Sequence, residues 1–185
     1  MNPIETLKNE HEAVRLTLRI LDTIVAGAEK TGTVSRPEHL EMLLEFFRVF
    51  VDTCHHGKEE ALLFPALEAA GIPREGGPIG VMLNEHERGR EHVRGMKAAL
   101  TRVQDGESTA VTDLAQHARA YIQLLDQHIE KENNVLFAMA AQHLPAARLN
   151  QLNGEFEKIE TEKIGAGRHE AFHRMLDELK NVYLG

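Results

Sequence analysis

Tryptophan is missing from this chain, tyrosine occurs twice, and aromatics make up only 5% of it. A core short of rings has to be built from aliphatic side chains. Ala, Leu, Val and Ile supply most of the 42% hydrophobic content, a set that suits helices packed on helices. Cysteine occurs once, at Cys54, which excludes an intrachain disulfide and fits a reducing compartment. Positive charge is in deficit: 21 Lys and Arg stand against 29 Asp and Glu, a net charge of −8. That balance argues against nucleic acid or an anionic membrane as a main partner, since both require a basic surface. No apolar run approaches the roughly 18 residues of a membrane span, and the N-terminus lacks the pattern of a secretion signal. The expected compartment is therefore the cytoplasm.

What the chain has in excess is histidine, eleven in 185 residues. Their placement follows from the helical stripes. Asn2-Pro3 supplies a cap and a first-turn proline for an opening helix whose apolar seam runs Ile4, Leu7, Val14, Leu18, Leu21, Val25, with His11 in a seam position. This helix is expected to end between Gly27 and Gly32. Ser35-Arg36-Pro37-Glu38 reads as a capping box for a second helix with the stripe Leu40, Leu44, Phe47, Val51, His55, Glu59, Leu62. On an ideal helix His56 and Glu60 lie about 100° away and read as flank residues facing solvent. Pro65 is expected to kink or end this helix. The third stripe is Ile79, Leu83, His86, Arg90, Val93, Met96, Leu100, and the fourth is Leu114, Ala118, Tyr121, Leu125, His128, Glu132 and onward.

Short connections between these helices predict an all-α fold, an up-down-up-down four-helix bundle over 3–142. One or two extra helices over 145–184 are expected to pack on it, interrupted at Gly165-Ala166-Gly167. The extension is too short for a core of its own, so residues 1–185 read as one domain.

The bundle carries an internal repeat. His55-x-x-Lys58-Glu59-x-x-x-Leu63-Phe64 recurs as His128-x-x-Lys131-Glu132-x-x-x-Leu136-Phe137, and Asn9-Glu10-His11-Glu12 recurs as Asn84-Glu85-His86-Glu87. Each helical hairpin therefore offers two inward histidines and one inward glutamate, with the His-x-x-x-Glu pair on one face. Six unpartnered polar groups in a core would cost roughly 1–3 kcal/mol each, against a whole-domain stability of about 5–15 kcal/mol. A metal centre satisfies all six together. Two imidazoles and a carboxylate per hairpin is a donor set suited to non-haem iron with open positions. Two such sets facing each other suggest two metals, with the carboxylates as bridges.

Glu10-His11, Lys58-Glu59-Glu60 with Leu63-Phe64-Pro65, Glu85-His86, and His128 through Phe137 resemble the hemerythrin-like, HHE cation-binding family over roughly residues 4–140. The resemblance implies a four-helix bundle with a di-iron centre of two iron ions, oxo- or hydroxo- and carboxylate-bridged. It implies His11, His55, Glu59, His86, His128 and Glu132 as metal ligands. In oxygen-carrying members a second histidine follows four residues after the third-helix histidine and the last carboxylate is an aspartate. Here those places hold Arg90 and Glu132. The pattern is closer to the members that repair damaged iron–sulfur centres, which usually carry a cysteine-bearing N-terminal domain as well.

The expected function is a di-iron protein that binds or reacts with oxygen, nitric oxide or peroxide in sensing or stress response. Alternatives are an enzyme-like role in iron–sulfur repair or peroxide removal, and labile iron handling. Ferritin-type sites carry Glu-x-x-His, the reverse order of the pairs here. A protein partner is compatible with this reading, but no stretch of sequence specifies one. Elsewhere, Arg15 and Arg90 read as surface charge pairs, Cys54 as a small core residue, and His92, His117 and His143 as flank residues. His169 and His173 form an i, i+4 pair without a third ligand, and Glu160 or His169 is expected to cover the open end of the bundle.

Overall fold

The computed structural model describes residues 2–165 and 167–185, and every regular element among them is helical. In order these are α1 (Pro3–Thr31), α2 (37–69), α3 (Pro78–Gln104), α4 (110–143), α5 (146–164) and α6 (Arg168–Tyr183). Ala166, in the glycine-flanked break before α6, lies outside the described residues. No helix among them is long and apolar enough to cross a membrane.

Local chemistry sets most boundaries. Asn2 caps α1, its Oδ1 accepting the amide of Ile4 at 3.0 Å, and Gly32 ends the helix in the left-handed region at φ 73°. The capping box at Ser35 does not form. Arg36 stands at the cap position without a side-chain hydrogen bond, and Pro37, which has no amide to cap and a preset φ, starts α2.

Pro65 does not end α2. The helix continues to Ala69 because the turns before the proline are widened: Phe47–His56 and Glu59–Leu63 are π-helical, and the Phe64 amide reaches back to the Glu59 carbonyl. Widened turns absorb a surplus residue and recur at functional sites. Here two of them begin on matched glutamates, Glu59 in α2 and Glu132 in α4.

His11 lies early in α1, His55 late in α2, His86 early in α3 and His128 late in α4. These residues share one level because neighbouring helices run antiparallel, as expected for an up-down-up-down bundle. The polar level separates two apolar clusters. One contains Leu18, Leu21, Phe46, Phe47, Leu100, Leu114 and Tyr121. The other contains Ile4, Leu7, Leu63, Phe64, Ile79, Leu136 and Phe137. The C-terminal helices extend both: Leu152 and Phe156 of α5 join the second cluster, and Phe172, Leu176 and Leu179 of α6 join the first. Phe172 meets Phe46 edge to face with centroids 5.5 Å apart.

Candidate metal centre

All six residues singled out by the stripes converge between the two clusters, and all are buried. Nε2 of His11 lies 3.1 Å from Nε2 of His55, and Nε2 of His86 lies 3.2 Å from Nε2 of His128. Two imidazoles held at right angles on one metal, about 2.1 Å from it, are separated by roughly 3 Å. Each histidine pair thus has the spacing of two ligands to a common ion. Glu59 directs Oε1 toward His55 Nε2 at 3.7 Å and Oε2 toward His86 Nε2 at 3.4 Å. Glu132 does the same in the opposite sense, with Oε2 3.1 Å from His11 Nε2 and Oε1 3.1 Å from His128 Nε2. Two four-ligand groups result: His11, His55, Glu59, Glu132, and His86, His128, Glu59, Glu132.

None of the four oxygens of Glu59 and Glu132 accepts a hydrogen bond, and both side chains are fully buried. Orphaned carboxylates in a dry interior are strongly unfavourable unless a cation meets them. The imidazoles register the same demand. Burial disfavours their charged forms, yet the carboxylates outweigh burial and raise His55, lift His128 to about 9 and lift His86 to about 11. Glu132, despite burial, is held well below the ordinary carboxylate range by His128, His11 and His86. The donor set fits divalent metal ions, which would replace those protons.

A second layer aims the imidazoles. His55 Nδ1 donates to Glu10 Oε2 at 2.8 Å and His128 Nδ1 to Glu85 Oε2 at 3.0 Å. Lys58 binds the other oxygen of Glu10, and Lys131 the other oxygen of Glu85. His86 Nδ1 donates to Glu60 Oε1 at 2.8 Å and His11 Nδ1 to Asn133 Oδ1 at 2.9 Å. Engaging Nδ1 fixes the tautomer and turns Nε2 toward the centre. Phe137 stacks on His11 and Phe64 on His86, at 5.5 and 5.9 Å between centroids. The repeat is thereby explained position by position. The glutamate before each first-motif histidine orients a histidine of the partner helix, the lysine of the second motif holds that glutamate, and the closing phenylalanine stacks on a histidine of a neighbouring helix.

The two halves differ at three points. Glu60 faces His86 where Asn133 faces His11. His56 occupies the position of Ile129. Lys58 has a second acceptor, Glu160 from α5, and is 0% exposed, whereas Lys131 is 39% exposed. His56 and Glu60 are consequently not the solvent-facing flank expected from an ideal helix. His56 is buried and stacks on His86 with centroids 3.8 Å apart, and Glu60 binds both His86 and Arg90. The widened turn over Phe47–His56 rotates less per residue than an α-helix, so consecutive residues Cys54, His55 and His56 all turn inward.

Arg90 bridges Asp52 and Glu60 at 2.7 Å each, part of the layer behind His86, while Arg15 pairs with Glu130 and Glu12 at the surface. Cys54 is buried, and burial pushes its thiol up to about 12. His92 and His117 meet each other at 3.3 Å away from the centre, and His143 is exposed. His169 and His173 lie beside Phe50, with no third ligand grouped with them among the described residues. Glu160 does reach the bundle, but its partner is the Lys58 ammonium.

Fold and site define a helical-bundle protein with a buried cation centre of histidines and carboxylates. A profile of the hemerythrin HHE cation binding domain matches residues 2–140, and the chain belongs to that family. It is 25% identical over 178 residues to the uncharacterized protein Rv1995 of Mycobacterium tuberculosis, covering 96% of this chain and 68% of that one. It is 33% identical over 90 residues to the iron-sulfur cluster repair protein YtfE of Dickeya chrysanthemi, covering 48% of this chain and 41% of that protein. It is 32% identical over 112 residues to YtfE of Edwardsiella ictaluri, covering 60% of this chain and 50% of that protein. The chain thus spans half or less of those repair proteins. These relatives agree with the sequence pattern in placing it nearer the repair-type members. No solved structure matches it.

Proposed function

We propose that this chain is a non-haem di-iron protein acting on oxygen, nitric oxide or peroxide. The supporting observation is the pairing of four buried Nε2 atoms, two by two, across carboxylates whose two oxygens face different pairs. His11 and His55 would hold one ion and His86 and His128 the other, with Glu59 and Glu132 available to both. Residues 1–185 act as one domain, with α5 and α6 closing one flank of the bundle. When bound, the irons supply redox change and open positions for a small ligand.

The chain's own groups do the rest. Glu10, Glu60, Glu85 and Asn133 orient the imidazoles and hold a proton at each Nδ1. Lys58, Lys131 and Arg90 neutralise the acids behind them. The two apolar clusters exclude water from either side, so charges at the centre act in a medium of low dielectric. A role in iron–sulfur centre repair is the second reading, favoured by the two YtfE relatives.

Metal analysis and optical spectra of anaerobically purified protein test the first reading. About two irons per chain, with ferric ligand-to-metal bands on oxidation, would support it. Stoichiometric zinc, or no bound metal, would refute it. Titrating the reduced protein with oxygen, nitric oxide and peroxide separates the ligands. Reactivation of a nitric-oxide-damaged iron–sulfur enzyme, absent in a His86→Ala control, would favour repair.

A further inference from the structure

A cavity of about 510 Å³ takes its walls from three helices: Leu44 and Phe47 of α2, Gly89 and Val93 of α3, and Tyr121 of α4. Its volume is in the roughly 300–1,000 Å³ range of small-molecule sites, and its lining, like theirs, is mostly apolar. His56 also lines it and stacks on His86, so the cavity is one side chain removed from the metal centre. The polar groups on its walls are unevenly satisfied. The three acids all have partners: Glu41 accepts from Gln104, Glu45 from Arg48 and Asp52 from Arg90. Arg94 is paired with Glu87. Two groups have no hydrogen-bond or ion-pair partner among the described residues, the Tyr121 hydroxyl and the Lys97 ammonium, and both are donors. Tyr121 is 2% exposed, and its ring is held edge to face by Phe47 at 4.8 Å between centroids. Burial and the Asp52 carboxylate push its pKa up, so the hydroxyl keeps its proton. A buried donor without an acceptor is unfavourable, and an acceptor brought by a ligand relieves it. Lys97 is exposed, at the solvent edge of the same cavity.

We infer that this cavity binds an apolar monocarboxylate. Its hydrocarbon part lies against Leu44, Phe47 and Val93, Tyr121 donates to its oxygen from inside, and Lys97 counters its charge from the solvent edge. The paired acids leave no free acceptor for a cationic ligand, whereas the donors left over match an anionic one. None of the six metal-facing residues lines the cavity, so its occupancy does not depend on which metal fills the centre.

Calorimetric titration of the metal-loaded protein with octanoate, and with octanol as the uncharged analogue, tests this. Saturable binding of octanoate is expected, weaker at high salt, with octanol binding several-fold less tightly. Tyr121→Phe should weaken octanoate about tenfold yet leave unfolding stability no lower than in wild type, since the hydroxyl it removes has no partner to lose. Lys97→Ala should weaken octanoate roughly two- to fivefold and leave octanol unchanged. Val93→Trp takes up cavity space and should sharply weaken both probes with metal content unchanged. Ala98→Leu, on the same wall, serves if that variant does not fold. Absence of saturable binding to wild type would overturn the inference, as would equal affinity for the two probes or affinity unchanged in the cavity-filling variants. Octanoate binding that disappears when the metal is chelated would place the probe on the metal and would overturn it equally.

Discussion

Lys58 and Glu160 stand 102 residues apart in sequence and meet inside the protein, tying the C-terminal arm to the metal centre. The connection runs His55, Glu10, Lys58, Glu160, and the Lys58 ammonium also lies 5.7 Å from the Phe156 ring centroid. Among the described residues no such arm covers Lys131, the equivalent residue on the other side.

Glu160→Gln removes one partner but leaves Glu10 to hold the lysine. Glu160 is 32% exposed, so the expected loss is modest, about 1 kcal/mol. Lys58→Met strands Glu10 in the interior and is expected to cost roughly 3–5 kcal/mol. Urea unfolding of the two variants against wild type reads this order. Equal losses would show that the arm, rather than Glu10, holds Lys58 in place.

Stability of the metal-free chain should fall with rising pH. Folded-state values of about 9 for His128 and about 11 for His86 lie above the usual 6.5. A group with a raised folded pKa contributes stability that is complete below its unfolded pKa and is lost as pH rises through the folded value. The window therefore opens near pH 6.5 and runs toward 9–11. Metal binding removes those protons, so the loaded protein should be insensitive over the same range and metal affinity should increase with pH. Denaturation of chelator-treated and loaded protein at pH 6, 8 and 10 distinguishes the two behaviours.

Glu10 gives an acid limb of opposite sign. Burial would raise its pKa, but His55 and Lys58 outweigh burial and hold it at about 2, below the usual 4.5. Its contribution is complete above pH 4.5 and is lost as pH falls toward 2. In Glu10→Gln this acid limb should flatten, measured as unfolding midpoint from pH 5 to pH 2.

The oxygen acceptors behind His86 and His11 invite an exchange. Glu60→Gln takes a charged acceptor from His86 and should weaken one metal by roughly 10–100-fold in chelator competition. Asn133→Asp places a carboxylate behind His11 and should tighten the other. A uniform change at both metals in either variant would contradict the separate pairing of Glu60 and Asn133 with their histidines.

Cys54 should be inert while the protein is folded. Its thiol is buried and pushed up to about 12, so almost no thiolate forms at pH 8. Ellman's reagent is expected to label it only as fast as the chain unfolds, and prompt labelling of native protein would disprove this.

The periodicity of aliphatic residues was enough to define four bundle helices, and the repeat within them placed His11, His55, Glu59, His86, His128 and Glu132 at one level. These features are legible because an α-helix presents residues three and four apart on one face, and a polar residue on an apolar stripe is conspicuous. The repeat also marked Glu10, Glu85, Lys58 and Lys131 as recurring, though the hydrogen bonds of the two glutamates to histidines of the partner helix, and of the two lysines to those glutamates, emerge only when the helices are packed. The linear pattern misplaced His56, whose solvent face assumes about 100° per residue, and where Pro65 was expected to kink or end the helix, the helix runs on to Ala69. The π-turns of α2 alter that angle, and widened turns leave no signature in the order of residues. Glu160 was marked as a polar break in an amphipathic helix, but only the docking of α5 on α1 and α2 decided that its partner is Lys58. Sequence determined which donors share a helix face. Tertiary packing decided which donors face one another across helices, since that depends on register and on turns whose width the residues themselves do not announce.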